Sequence, residues 1–217
     1  MTMQISDSMI WKNVENSLIL KNICALAILI NSSYSYADNF AVHSFPQDGY
    51  SIEVPYSWQE RTLSSPAGGI MRAFVDSNKK LGAGYCQVEI MKVDKNKTPL
   101  IAGASSKQLR EYFSRRFDLE DWLMIFPNLA SAANFQLLNS YPSEVGGLIP
   151  AEAMEFRFSV PNGYFYRTRT HVAVSNLQIY SLWCVTVGHD AKDVDNNFRS
   201  YLPVFQIVAG RFKPFIK

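Results

Sequence analysis

The sequence predicts an α+β protein, an antiparallel β-sheet with helices on both faces, and three observations lead to this class. The stretch from Ala153 to Val187 alternates apolar and polar residues across two tight turns, as three consecutive antiparallel strands do. Apolar residues at helical spacing occur before it, in Leu109–Phe117, and after it, in Phe198–Val208. The third strand is apolar on both sides, which is typical of a central strand covered on both faces.

Composition limits the domain count and the classes of partner. The chain has 217 residues, of which 47% are hydrophobic and 18% charged, so it is able to bury one good core. Its net charge of +2 and the lack of any long Lys/Arg block argue against nucleic acid and anionic membranes as partners. No internal repeat is present.

The N-terminus has the three parts of a secretory signal. A polar stretch with two lysines precedes an apolar run, Ile23–Ile30, and a segment of small polar residues. We expect residues 1–37 to be this signal, with cleavage between Ala37 and Asp38, and residues 38–217 to form a single globular domain. An uncleaved anchor is the alternative, but the run is shorter than the ~20 apolar residues of a membrane span. The predicted location is therefore periplasmic or secreted, with no stable membrane span after processing.

Four strands are predicted before the first helix. They share alternation or short apolar runs bounded by turn residues, and they are Phe40–Phe45, Tyr50–Val54, Ile70–Val75 and Tyr85–Val93. The turn Pro46–Gly49 joins the first two strands. Pro55 ends the second strand, and Trp58 is placed in the loop that follows.

Two helices and a strand are predicted in the middle of the chain. Ser105 is a helix cap, and Gln108 three residues later completes a capping box. A short helix over Glu120–Phe126 follows. Phe135–Asn139 is predicted as a strand, and Tyr141–Gly147, which contains Pro and Gly, as the connection back to the central strands.

The C-terminal segment is predicted to be a helix with an interruption. Asp190 or Asp193 caps it, and the apolar residues that follow lie on one face. Pro203 removes a helical hydrogen bond, so a kink or split is expected near residues 199–202.

The first turn of the central strands fixes their register. Pro161–Gly163 forms a three-residue hairpin loop, with Gly supplying the left-handed residue. The resulting pairs on the apolar face are Val160–Tyr164, Phe158–Tyr166, Phe156–Thr168 and Met154–Thr170. The other face pairs Glu155 with Arg169 and places Arg157 opposite Arg167, so this face is expected to be solvated.

The second turn is weaker, because a two-residue hairpin prefers Asn-Gly. A turn at Ser175–Asn176 pairs Val174 with Leu177 and Thr168 with Trp183. This register extends one apolar face across three strands. Because the third strand is apolar on its reverse face as well, we expect it to lie in the middle of the sheet.

The opening Gly49–Trp58 reads GYSIEVPYSW, a hydrophobic-Val-Pro-x-x-Trp pattern. Together with the mid-chain helix, the three-strand unit and the closing Phe-rich helix, it resembles the PsbP-like proteins over Gly49–Phe212. The resemblance implies an α/β/α sandwich and a non-catalytic role as a binding or accessory protein. It carries over no catalytic residues.

The residues available for chemistry do not form a catalytic or metal-binding pattern. A Cys/His nucleophile would need Cys184 and His189, but Cys184 lies inside a predicted strand. The His and Cys residues lack zinc spacing, and the aspartates after His189 do not match a calcium loop. We therefore expect no enzyme activity, no cofactor and no metal.

The two cysteines of the mature chain are Cys86 and Cys184, which an oxidising compartment would ordinarily pair. Alternation places Cys86 on a core face with Val88, and Cys184 on the face opposite Trp183. Side chains on different faces cannot be bridged without moving the backbone. The sequence therefore favours two free, buried thiols over a disulfide.

Candidate interface residues are aromatic side chains at strand ends or in loops, namely Tyr56, Trp58 and Tyr141, and the arginines Arg167 and Arg169. The alternative for Trp58 and Tyr141 is that they close the ends of the core.

Two functions follow: an exported, non-catalytic binding or accessory protein with a protein partner in the bacterial envelope, or a small-ligand or lipid carrier with a pocket between helix and sheet. An exposed apolar patch favours the first and an enclosed apolar cavity the second.

Overall fold

The computed structural model describes residues 39–64, 70–77, 84–92, 104–113, 115–126, 132–147, 149–161, 163–175 and 178–215. The predicted signal, with its cleavage site between Ala37 and Asp38, lies outside these residues. Ten strands are described: β1 Phe40–Phe45, β2 Tyr50–Pro55, β3 Trp58–Ser64, β4 Ile70–Asp76, β5 Tyr85–Lys92, β6 Ala133–Val145, β7 Ile149–Ser159, β8 Phe165–Ser175, β9 Gln178–Gly188 and β10 Lys213–Pro214.

The three described helices are α1 Ser106–Phe113, α2 Leu119–Ile125 and α3 Ala191–Gly210. Each begins after a residue whose side chain accepts a hydrogen bond from a backbone N–H three residues later. Ser105 does this for α1 and, as predicted, Gln108 Oε1 accepts the Ser105 backbone N–H in return at 2.8 Å. Asp118 caps α2 and Asp190 caps α3 in the same position.

The main sheet in the described part of the chain has seven antiparallel strands in the order β3-β4-β5-β9-β8-β7-β6. The predicted α+β class and antiparallel sheet are confirmed, and β9 lies at the centre as the sequence predicts. Two runs of consecutive neighbours, β3-β4-β5 and β6-β7-β8-β9, meet where β5 pairs with β9. A smaller sheet, β1-β2-β10, holds the N-terminal hairpin against the C-terminus.

The register of the first central hairpin is confirmed throughout. Glu155 faces Arg169, Arg157 faces Arg167, and the Val160 N–H donates to the Tyr164 carbonyl at 3.1 Å. Gly163 has φ +87°, the left-handed conformation that the turn requires.

The predicted register of the second hairpin was wrong by two residues. Ser175 pairs with Gln178, so Trp183 faces Thr170 and not Thr168. The connection is therefore one residue later than predicted. A shift of two keeps every side chain on its face, so hydrophobic alternation cannot distinguish these two registers.

The prediction of free thiols was also wrong, because Cys86 and Cys184 form a disulfide. They face each other directly across β5 and β9, with their Cα atoms 4.0 Å apart. The error lay in treating one face of the sheet as the core face. Both cysteines belong to a cluster with α3 residues such as Phe205, whereas Trp183 lies on the opposite side of β9.

Two large apolar clusters pack on the sheet, and a small third one contains Tyr166, Val185 and Val187. The larger contains residues of α3 and of the small sheet together with alternate residues of β5, β7, β8 and β9. The second contains Phe113, Phe117, Trp122 and Phe126 from α1, α2 and the adjoining chain, with Phe156 and other residues of β7, β8 and β9. The alternation of strand side chains divides the β7 and β8 residues between these clusters.

Three local predictions were wrong for identifiable reasons. Trp58 begins β3 and does not lie in a loop, because this segment pairs with β4 from Trp58 opposite Asp76 onward, a long-range contact that its sequence pattern does not indicate. The stretch predicted as a connection, Tyr141–Gly147, continues β6 as far as Val145, since Pro142 is tolerated on an edge strand. Pro203 does not split α3, because it lies on the exposed side, where solvent can satisfy the freed carbonyl, and the predicted kink stays a prediction.

Candidate functional site

The predicted interface residues lie in three different environments. Tyr56, in the turn between β2 and β3, is 69% exposed and is available for contact. Trp58 is 5% exposed and packs near the ring of Tyr201, so its assignment to an interface is corrected and it is a core residue. Tyr141, Arg167 and Arg169 lie on the α3 side of the sheet, and Tyr141 is half-buried.

The predicted solvated face of the central hairpin is instead covered by α3. Glu155 accepts hydrogen bonds from Arg169 Nε at 3.0 Å and from Arg167 Nη2 at 3.2 Å. Asp195 of α3 accepts from Arg167 at 2.9 Å and from Arg157 at 3.2 Å, which relieves the repulsion between these two arginines. The Arg167 and Arg169 side chains are 18% and 12% exposed, so they do not form a free basic surface.

Beside this ion-pair network lies an open cleft of about 570 Å³ between β6, β8 and the last turn of α3. Its polar lining residues include Asn139, Tyr141, Ser143, Arg169, His171 and Gln206. Antiparallel pairing explains why these residues meet: Tyr141, Ala153 and His171 form one row across β6, β7 and β8. Ala153 is the middle residue of this row, and its short side chain fills little of the space between the other two.

His171 is the most deeply buried titratable group of the cleft. Its side chain is 5% exposed, and its Nδ1 atom lies 3.2 Å from the hydroxyl of Ser143. Burial, with a smaller contribution from the nearby Arg169 charge, lowers the pKa of His171 to about 3. The imidazole is therefore neutral at physiological pH, and its Nε2 atom has no hydrogen-bond partner among the described residues.

Arg169 and Tyr141 complete this side of the cleft. The Arg169 guanidinium carbon lies 5.8 Å from the centroid of the Tyr141 ring, within the range of a cation–π contact. Burial raises the pKa of the Tyr141 hydroxyl, which stays protonated and can donate a hydrogen bond. The cleft thus combines a guanidinium, a hydroxyl and a neutral imidazole.

A second buried polar group, Glu152, lies on the other side of β7. Its Oε1 atom accepts hydrogen bonds from the Phe117 N–H at 3.0 Å and from the Ser140 hydroxyl at 2.8 Å, and Ser140 accepts from the Trp122 indole. Burial raises the pKa of Glu152 despite these bonds. This chain of bonds ties the α1–α2 segment to β6 and β7, which is a structural role.

The catalytic and metal candidates do not assemble into a site. Cys184 is bonded to Cys86 and therefore offers no thiolate to His189. Asp190 and Asp193 accept backbone hydrogen bonds at the start of α3. Within the part of the chain that the structure describes, no three His, Cys, Asp or Glu side chains lie together so as to hold a metal ion.

Sequence reasoning did not select His171, Ser143 or Gln206 as site residues. A usable signal was present for His171, which lies two residues after Arg169 and therefore on the same face of β8. The approach of Gln206 depends on how α3 packs on the sheet, which alternation does not predict.

The comparisons with known proteins concern the fold. No family model and no curated protein matches the chain. The solution structure of the cyanobacterial PsbP protein CyanoP from Synechocystis sp. PCC 6803 matches with a TM-score of 0.54, covering 90% of this chain and 99% of that chain at 14% sequence identity. A crystal structure of PA94 from Pseudomonas aeruginosa, a protein of unknown function, covers 82% of this chain and 99% of its own at 10% identity, with a TM-score of 0.45.

The match to CyanoP shows a PsbP-like fold, as the sequence resemblance predicts. No described helix is both long enough and apolar enough to cross a bilayer.

Proposed function

We propose that this protein is an exported, non-catalytic binding protein, which acts as an accessory to a protein partner in the bacterial cell envelope. The observation that carries the proposal is the open cleft beside β6, with its buried His171 and its largely buried Arg169. Buried polar groups cost stability, so their presence along an accessible cleft favours a binding role over a packing role.

Export is supported by the disulfide between Cys86 and Cys184. Disulfides form and persist in oxidising compartments and are rare in the cytosol. Together with the signal predicted at residues 1–37, this favours a periplasmic or secreted protein. N-terminal sequencing of the exported form is expected to give a start near Asp38, and an intact Met1 in the soluble periplasm would contradict export by cleavage.

In this proposal the two faces of the sheet have different roles. We take α1 and α2 to cover one face and α3 the other, in the α/β/α arrangement of the PsbP-like fold. The α1–α2 face is closed by aromatic residues and by Glu152. The α3 face carries the cleft, so we assign the proposed binding function to the region near the C-terminal end of that helix.

A small-ligand carrier is the second candidate function. A cleft of about 570 Å³ falls in the range of ~300–1,000 Å³ that small-molecule sites occupy. The cleft is open and partly polar, so it suits a polar ligand better than a lipid chain.

Photocrosslinking in the native envelope tests the proposal. A photoreactive group at Tyr141 is expected to capture a specific protein partner. The matched control carries the group at Val42, which is 67% exposed on β1 and lies outside the cleft, and it is expected to give no such adduct. A protein that yields no adduct from Tyr141, or that turns over a substrate, would contradict the proposed function.

A further inference from the structure

The cleft contains side-chain nitrogen atoms whose hydrogen-bonding capacity is not filled by neighbouring residues. The Nε and Nη2 atoms of Arg169 both donate to Oε1 of Glu155, and Nη1 takes no part in that ion pair. The Nε2 atom of His171 is buried and has no hydrogen-bond partner among the described residues. An unpaired buried nitrogen is costly, so a ligand that pairs with it is favoured.

The tautomer of His171 decides what this nitrogen offers. When the Ser143 hydroxyl donates to Nδ1, the proton of the neutral ring is on Nε2, and Nε2 is a donor. The Tyr141 hydroxyl, across Ala153 in the same row, is a further donor. Guanidinium, imidazole N–H and phenol together match the acceptor pattern of a carboxylate.

The charge of Arg169 favours the same ligand. The network beside the cleft has three cations, Arg157, Arg167 and Arg169, against two anions, Glu155 and Asp195, which leaves one positive charge in excess. When Glu144 of the cleft lining is counted the sum is zero, so a carboxylate is favoured by the nearby Arg169 guanidinium and not by a net charge of the site.

Glu144 also lines the cleft, at an exposed position of β6, and it has an interaction of its own. Its negative charge weakens the attraction for an anion, so removal of this charge should strengthen the binding of a carboxylate.

We propose that this cleft binds a carboxylate group, held by Arg169, His171 and Tyr141. The inference rests on the proposed function, since the carboxylate is taken to belong to the binding partner. Its source is a polypeptide C-terminus, an acidic side chain or a free small acid, and these share one recognition chemistry.

Titrations followed by NMR of the histidine ring nitrogens test this directly. The probes are a glycine tripeptide with an acetylated N-terminus and a free C-terminal carboxylate, the same peptide ending in an amide, an amide-ended peptide with one aspartate, and acetate. We expect a saturable change in the Nε2 shift of His171 with at least one carboxylate probe, and binding of that probe at least about tenfold tighter than that of the amide-ended tripeptide. The best-bound probe identifies the source of the carboxylate.

Variants test whether carboxylate binding depends on the cleft residues or only on the overall charge of the protein. Tyr141→Phe and His171→Gln are expected to weaken carboxylate binding by about tenfold each, and Glu144→Gln to strengthen it. Binding to His171→Gln, which lacks the reporting ring, is followed by the backbone amide shifts of the cleft residues. Arg199→Gln, on the exposed side of α3 and outside the cleft, is the matched control and should leave binding unchanged. Backbone NMR spectra establish that each variant is folded before it is titrated.

If no carboxylate probe binds more tightly than the amide-ended tripeptide, or no probe gives a saturable change at His171, the carboxylate inference is overturned. If a partner is still captured from Tyr141, the proposed function stands without it. If carboxylates bind but no protein is captured, the inference stands and the small-ligand carrier replaces the accessory role.

Discussion

The burial of His171 predicts a loss of stability in mild acid. A histidine has a pKa of ~6.5 in an unfolded chain, whereas the folded protein lowers the pKa of His171 to about 3. Between these values the unfolded state binds the proton and the folded state does not, so the free energy of unfolding falls as pH falls below 6.5. From pH 7.5 to pH 4.5 the loss is ~2–3 kcal/mol, against a typical total of ~5–15 kcal/mol.

The assay compares urea unfolding of the wild type and His171→Gln at several pH values across this range. The variant cannot titrate at this position. The free energy of unfolding of the wild type, relative to that of the variant, is therefore expected to fall by ~2–3 kcal/mol between pH 7.5 and pH 4.5. Carboxylates titrate in both proteins, so their contributions cancel in this comparison. Ser143→Ala keeps the burial of His171 and removes its hydroxyl neighbour, so it should retain the acid sensitivity. Parallel stability curves for the wild type and His171→Gln would refute the buried, neutral state of His171.

Two further predictions concern stability at neutral pH, measured by urea unfolding. Gly84→Ala should cost ~1–3 kcal/mol, because a Cβ atom at this position would lie 2.4 Å from the ring of Tyr201, whereas Gly210→Ala has no neighbour within 4 Å and should be neutral or slightly stabilising. Equal effects of the two changes would contradict the packing of α3 on the sheet. Arg169→Ala should cost about 3 kcal/mol, the low end for breaking a buried ion pair, because another arginine remains beside Glu155. A cost below ~1 kcal/mol, as for an exposed pair, would show that this network is solvated.

Much of the fold was accessible from the sequence because local signals agreed with one another. Ser105 with Gln108 marked the start of α1, and Pro161–Gly163 fixed a hairpin register that held for every described pair. The central position of β9 followed from its two apolar faces. These features depend on neighbouring residues in the chain or on side-chain alternation, which the sequence contains directly.

The cleft and the disulfide required knowledge of which elements meet in space. Cys86 and Cys184 are 98 positions apart, and alternation assigns each to a face of its own strand but does not say which faces coincide. Arg169 was expected to be solvated because nothing in the sequence placed α3 above it. Gln206 enters the cleft for the same reason, through helix packing.

The bond between Cys86 and Cys184 crosses the sheet where β5 pairs with β9, and it closes a covalent ring that contains α1, α2 and β6 to β8. In a chain-entropy account, a ring of this length reduces the conformational entropy of the unfolded chain and so stabilises the folded state by about 4–5 kcal/mol. One peptide-bond cleavage within the ring therefore leaves the fragments covalently joined. The two runs of strands that meet at this pairing stay tethered even after such a cleavage, so their re-pairing remains intramolecular and independent of protein concentration.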